Sequence, residues 1–569
     1  MCGIHGFNHS DSKKINRMIE ASNSRGPDGN GSYSDNNITL GHNLLAITEH
    51  SSSSKQPWIL NDRFVLCYNG EIYNYEQLRL ELKSDGETFE TDSDTEVLAK
   101  GLRSHGINFI HRLEGMYAIA WYDKHEGTLV LARDAAGAKP LYTYIKDDKL
   151  VFSSSIKSLA AYGVSLRLPE VYVQERLERG SPSGTETLYR NISKLYPGQI
   201  IKYRLHNLSK ELDEHVHKKI EPIDTELEDT EFYQYLHNTC RKTISESVRS
   251  CLMGKRPIGL YLSGGLDSSI ILHELVQYQN KPKTFTTRVS MGGHEDTGAN
   301  SDADVAQRLS KHYGTDHTEL LVTEQDYIKY FEDTVWALEE PFANKSIPAY
   351  YALNKTVSEN GVVVTLSGDG GDELFTGYKR HLSIHRKSPE EKANLQKDLV
   401  RKLTHFKDGW FPVDCLSNDH LNTVMYKEYL CRVAENFLIR NDRLGMNFSM
   451  EARFPLTAGK IRDFAFSIPS CYKIRNNKTK VIQRESYRDI IPNFVLDKHK
   501  TGWSIPKNFL YNDEFKSWGA EILKDAPALP SDTPNLSEAF LAASSYRKIN
   551  SFISSIAFCI WVKLFKVSI

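Results

Sequence analysis

Ser263-Gly264-Gly265-Leu266-Asp267-Ser268-Ser269 is the stretch from which the fold is read. Ahead of it, the apolar run 258–262 reads as a buried strand of a parallel sheet. Behind it, 270–276 reads as a helix. A small, glycine-rich turn between strand and helix leaves backbone N–H groups free at a positive helix end. That is an anion site, best suited to phosphate. Gly264 and Gly265 let the backbone approach the anion, and Ser263, Ser268 and Ser269 add hydroxyl donors. Asp267 would repel phosphate directly, so a bridging Mg²⁺ is its natural companion. No Gly-Lys-Ser/Thr follows, so this is not the common nucleotide P-loop.

Downstream, strands and helices alternate: strand 284–289, helix 302–313, strand 317–322, helix 324–338, strand 362–366. Such alternation implies a parallel sheet covered on both faces, with ligands at the carboxyl ends of its strands. Leu262, Thr287 and Leu366 are such ends. A second glycine-rich, acidic turn follows the last strand, Ser367-Gly368-Asp369-Gly370-Gly371-Asp372-Glu373. Two turns of this kind can hold the two ends of ATP-Mg.

At 569 residues the chain exceeds a single core and calls for two or more domains. A net charge of −2 argues against a broad nucleic-acid surface. The eight cysteines form no CxxC, which fits a reducing cytosol better than a disulfide scaffold. No signal peptide is legible, and the apolar run 556–562 is too short to span a bilayer, so it reads as a packed C-terminal helix. His206, His215 and His217 read as solvated surface, and 389–403 as a solvated, charge-laced helical face.

The chain opens Met1-Cys2-Gly3-Ile4. Loss of the initiator Met would give Cys2 a free α-amine, so that one residue supplies both thiol nucleophile and nearby base. Further on come Arg25-Gly26-Pro27-Asp28, then Asn69-Gly70-Glu71-Ile72-Tyr73-Asn74 after strand 64–68, then Ser93-Asp94-Thr95-Glu96 opening a helix. Asn69 and the Gly70 N–H suit an oxyanion hole, and Asp94 suits an ammonium group. Core strands are read at 113–122 and 129–134.

Together these motifs resemble the class II glutamine amidotransferase domain, an N-terminal-nucleophile αββα sandwich. The resemblance implies that Cys2 attacks the glutamine amide, while Asn69 and Gly70 stabilise the oxyanion. It assigns glutamine binding to Leu44, Leu45, Ala46, Ile47, Thr48, Asn69, Gly70, Glu71 and Asp94. One position departs from the family: Leu44 stands where an arginine grips the glutamine α-carboxylate. Either another cation substitutes, such as Arg25 or Arg63, or the grip is weak.

The Ser263–Ser269 turn resembles the pyrophosphate loop of the ATP pyrophosphatases, and the whole second half resembles the glutamine-hydrolysing asparagine synthetase family. The expected architecture is therefore α/β and α+β in two domains, the sandwich followed by a parallel-sheet ATP-pyrophosphatase domain. The expected boundaries are 2–204 for the first domain, 205–232 for a linker with an entry helix, and 233–569 for the second domain. The resemblance implies ATP contacts at Leu262, Ser263, Gly264, Gly265, Asp267, Ser268, Thr287, Ser367 and Gly368, with Asp267 and Asp372 as Mg²⁺ ligands. Asp369 matches the acidic position needed for an acyl-adenylate. Lys480 is the candidate catalytic lysine, with Lys478 two positions away as the alternative.

A second departure is Thr457-Ala458 after Arg453-Phe454-Pro455-Leu456, where the family carries an Asp. It leaves the acceptor open between aspartate and another carboxylate, such as a sugar acid or a secondary metabolite. The implied partners are glutamine, aspartate and ATP, without nucleic acid or membrane. A cytoplasmic homodimer is compatible with the resemblance.

Overall fold

The computed structural model describes residues 2–48, 55–169, 184–223, 228–290, 298–388, 390–392, 394, 419–498, 505–510, 512–524 and 549–568. The first domain is built on two six-stranded antiparallel sheets. One runs β10(Ile192–Lys194)-β8(Tyr142–Lys146)-β9(Lys149–Ser153)-β1(Gly3–Phe7)-β3(Thr39–Leu44)-β2(Gly29–Ser34). The other runs β12(Ser209–His215)-β11(Gln199–Arg204)-β7(Thr128–Arg133)-β6(Gly115–Asp123)-β5(Phe64–Ile72)-β4(Trp58–Leu60).

Strand alternation explains how the sheets stack. Val65 and Cys67 of β5 meet Ile4, Leu40 and Phe152 of the other sheet in a shared core. Leu66 and Tyr68, on the opposite face of β5, pack under the helices Tyr75–Ser84 and Asp94–His105. The helices Ser12–Ala21 and Ile156–Tyr162 cover the outer face of the first sheet. The result is the αββα sandwich expected from the motifs.

The second domain centres on a five-stranded parallel sheet ordered β15(Asp316–Val322)-β14(Lys283–Val289)-β13(Ile258–Tyr261)-β16(Val364–Leu366)-β17(Glu451–Arg453). All four neighbour pairs are parallel. Strand order reverses between β13 and β16, so the crevice between their carboxyl ends is the expected ligand position. Both glycine-rich turns leave the sheet there.

Several sequence expectations need correction. Residues 205–232 are not simply a linker, since β12 pairs with β11 and extends the first domain's sheet through His215. The entry helix is present as Asp229–Ser250. His215 and His217 are half-buried rather than on open surface, and burial pushes both imidazoles down to about 3. His217 lies 3.0 Å from the Pro197 carbonyl and 3.1 Å from the Tyr426 hydroxyl, bridging the domains. The helix read at 324–338 is two helices, Glu324–Lys329 and Phe331–Leu338, which meet at Tyr330. The first is closed by a capping box between Thr323 and Asp326. The run 556–562 lies in the helix Ile549–Phe565, and its Ile556, Phe558 and Trp561 are buried. Among the described residues no helix is long and apolar enough to cross a membrane. The charged stretch 389–403 lies largely outside the described residues.

Candidate active site

Two sites emerge, one in each domain. In the first, Cys2 precedes the central strand β1 and is 7% exposed. Three contacts hold it. Its nitrogen donates to Asn69 Oδ1 at 3.0 Å, its carbonyl accepts from Arg25 Nε at 3.2 Å, and its thiol meets the Leu45 backbone N–H. Burial pushes the thiol pKa up, partly opposed by the neighbouring positive terminus. A thiol in that condition needs a base at hand before it can attack.

Asn69, Gly70 and Glu71 lie in β5, which is longer than the strand read from sequence. A side chain on Gly70 would collide with the Met116 carbonyl of β6, so only glycine fits there. Asp94, at the start of its helix, accepts from the Tyr68 hydroxyl at 2.9 Å and from the Ile72 N–H at 3.1 Å. Burial raises its pKa, and those two donors oppose the rise. Leu45 reaches the thiol. Ala46 donates its N–H to Asp28 at 2.9 Å, and the Ile47 carbonyl accepts from Lys255 N at 3.0 Å.

Neither cation weighed as a replacement at position 44 is available. Both Arg25 amino nitrogens are spent on Asp442, at 2.8 and 3.3 Å. Arg63 pairs with Asp123 at 2.7 Å. It precedes β5, six residues and about 20 Å from Asn69 along an extended chain.

Sequence reading missed the charges buried between the domains. Arg453, fully buried on β17, donates to Glu451 at 2.5 Å and lies 3.7 Å from Glu71 of the first domain. Burial raises Glu71 well above the carboxylate range, reinforced by Glu451. Burial also acts upward on Glu451, but the surrounding positive groups, Arg453 first and Lys139 among them, together hold that carboxylate low. Lys139 sits 3.9 Å from Asp442, and its ammonium has no hydrogen-bond partner among the described residues. Glu71 and Arg453 stand in motifs legible in the sequence, but nothing in the sequence pairs them with each other or with Glu451.

The second site is a cavity of about 460 Å³ at the β13/β16 crevice. Its lining includes every residue expected to contact ATP, from Leu262 to Ser268 in the first turn, Thr287 after β14, and Ser367 and Gly368 in the second turn. The two turns touch: a Cβ on Gly368 would lie 3.1 Å from that of Asp267. Ser367 Oγ donates to Asp369 at 2.7 Å, and Asn441 Nδ2 donates to the same oxygen at 2.6 Å.

Lys480 settles between two carboxylates, bonded to Asp267 and lying 2.6 Å from Asp372. Burial acts to lower the ammonium pKa, but the two carboxylates outweigh it and raise it. Lys480 has φ 56°, a left-handed conformation costly for a side-chain-bearing residue and typical of functional sites. Lys478, the alternative, is bonded through its backbone to Arg475 and does not line the cavity. Arg432, Arg440 and Arg484 add positive charge to the wall. Thr457 and Ala458, at the second family departure, lie outside the lining, and Thr457 packs against Gly370.

The fold and the two sites define a class: an N-terminal-nucleophile amidotransferase domain joined to an ATP-pyrophosphatase-type ligase domain. Comparison with known proteins agrees. The asparagine synthase family matches residues 239–549, and the glutamine amidotransferase domain matches residues 1–213. The chain is 27% identical to asparagine synthetase [glutamine-hydrolyzing] 1 of Bacillus subtilis, over 90% of this chain and 87% of that one. It is also 27% identical to asparagine synthetase B of Escherichia coli K12, over 94% and 87%. A putative asparagine synthetase of Methanocaldococcus jannaschii is 30% identical over 71% of this chain and 79% of its own. The chain belongs to the asparagine synthase family.

Proposed function

We propose that the chain is a glutamine-hydrolysing asparagine synthetase, acting at two separated sites. In the second domain, a side-chain carboxylate oxygen of aspartate attacks the α-phosphorus of ATP. Pyrophosphate leaves and β-aspartyl-AMP forms. Ammonia then attacks the acyl carbon, and AMP leaves with one former carboxylate oxygen. In the first domain, the Cys2 thiolate attacks the glutamine amide, ammonia departs, and water hydrolyses the thioester to glutamate. Ammonia is delivered between the domains, past Glu71 and Arg453, because in bulk water at neutral pH it would be mostly ammonium.

The observation that carries this reading is the meeting of Asp267 and Asp372 on one cation, Lys480, at the switch point of the sheet. Two carboxylates converging on one positive charge fit a Mg²⁺ ion, which takes one or two carboxylates and completes its shell with phosphate and water. Asp267 and Asp372 would hold that ion, and bound there it would neutralise phosphate charge. Backbone N–H groups of the Ser263–Ser269 turn would hold the pyrophosphate. Lys480 would neutralise charge developing at the α-phosphate. Asp369 would orient the acceptor. The arginine-lined wall favours a small acceptor with two carboxylates, such as aspartate, over a bulky acid with one.

The test is pyrophosphate release with ATP, Mg²⁺ and glutamine across a panel of carboxylates. Aspartate should be preferred and asparagine should accumulate. Preference for another carboxylate would overturn the acceptor assignment.

A further inference from the structure

One helical turn touches both sites. It is Arg440–Arg443, within the helix Ile439–Met446 that continues from the π-helix Tyr429–Leu438. Arg440 lines the ATP cavity, its guanidinium 5.3 Å from the Tyr350 ring centroid. Asn441 Nδ2 donates to Asp369 at 2.6 Å. The next residue, Asp442, takes the bidentate pair from Arg25, and Arg25 Nε donates to the Cys2 carbonyl. Arg443 bonds Tyr142 of the first domain and Glu340 of the second, the latter at 3.1 Å. Asn441 and Asp442 are 2% and 1% exposed. The preceding π-helix is tied to the first domain as well, since Glu435 pairs with Lys194 and lies 3.6 Å from Arg133.

We propose that Asn441 and Asp442 are positioning residues that couple the two sites, so that filling the ATP cavity changes the rate of glutamine hydrolysis at Cys2. The proposal rests on the functional reading above. Nucleotide and acceptor bring negative charge beside Asp369, whose two hydrogen bonds, to Ser367 and Asn441, are the ones that must readjust. Asn441 is buried, so a readjustment that moves its main chain carries its helical neighbour Asp442 along. A bidentate arginine–carboxylate pair fixes orientation as well as distance, so Arg25 follows. Arg25 holds the main chain of the nucleophile itself, and a displacement of about 1 Å at a reacting group is worth on the order of 10²-fold in rate. Coupling of this kind is carried by an element that both sites bias. A bond that merely stapled the domains would end at Asp442, whereas Asn441 extends the chain of contacts to the acidic turn.

The readout is a ratio: glutamine hydrolysis with saturating ATP, Mg²⁺ and aspartate, divided by hydrolysis without them. In the wild type this ratio should depart from one by about fivefold or more, the ordinary range of coupling between sites. Asn441→Ala removes one hydrogen bond and should bring the ratio to within about twofold of one. Asp442→Asn should do the same, and Asp442→Glu should restore part of the wild-type ratio. A merely structural role would lower both rates by one factor and leave the ratio in place. An unchanged ratio in Asn441→Ala overturns the proposal, as does a wild-type ratio of one with both activities present. Absence of glutamine hydrolysis or of pyrophosphate release in the wild type would instead bring down the functional reading. Asn441→Ala carries the test alone if Asp442→Asn fails to fold.

Discussion

Around Cys2 the charged groups come from both domains, whereas around Asp267 those among the described residues come from one. Arg25 is answered by Asp442, and Glu71 by Arg453, across the domain boundary. Every described residue lining the cavity at the β13/β16 crevice lies between Tyr261 and Lys498. The ligase site is thus a local product of two adjacent strand ends. The amidotransferase site is complete only when the domains are docked. The difference teaches that damage to the interface should fall first on the use of glutamine and only later on the chemistry of ATP.

The sharpest break in that comparison comes from one substitution on each side. Cys2→Ala should lower glutamine-dependent amidation by roughly four orders of magnitude or more, as expected for loss of a nucleophile. Ammonia-dependent amidation should persist. Asp267→Ala should lower pyrophosphate release by about 10²-fold or more with either nitrogen source, through loss of charge stabilisation. Equal loss of both activities in Cys2→Ala would merge the two sites into one.

The interface itself can be broken at Arg453. Arg453→Met leaves Glu71 and Glu451 buried beside each other without their cation. Removing one partner of a buried ion pair costs about 3–5 kcal/mol. Denaturant unfolding should show a loss of that size, and glutamine-dependent activity should fall further than ammonia-dependent activity. A loss below about 1 kcal/mol would mean that the cluster is solvated or already neutral.

A smaller effect is expected at Leu44. With Arg25 and Arg63 both committed, the glutamine α-carboxylate lacks the arginine that the family resemblance leads one to expect. Glutamine KM should therefore be high. A hydrogen bond to a charged group contributes roughly 1.5–3 kcal/mol, so Leu44→Arg should lower that KM by about 10–200-fold. Ammonia-dependent turnover should not change, because the added contact is remote from the ATP cavity. A low KM in the wild type would direct attention to a cation supplied by another residue.

The parts of this molecule that could be read in the sequence were those whose chemistry is contiguous in the chain. The turns Ser263–Ser269 and Ser367–Glu373 each carry their own glycines, hydroxyls and carboxylates, and each is framed by its own strand and helix. Their meeting followed from the rule for parallel sheets, and Lys480 arrives at that meeting point. The interface was not legible for the opposite reason. Arg25 and Asp442 are 417 positions apart, and each looks like an ordinary surface charge until the domains pack. The half-burial of His217 is hidden on the same grounds, since nothing near it in sequence announces Pro197 or Tyr426. The strand β12 was missed because its sequence, Ser209–His215, is mostly polar and charged, as suits the edge strand it proves to be.

The most direct measurement follows oxygen through the ligase reaction. Aspartate labelled with ¹⁸O in its side-chain carboxylate is supplied with ATP, Mg²⁺ and glutamine, and the nucleotide product is analysed by mass spectrometry. If the carboxylate attacks the α-phosphorus, AMP is the product, and each molecule carries one ¹⁸O, matched by one ¹⁸O retained in asparagine. Formation of ADP, or of AMP without the label, would contradict the account.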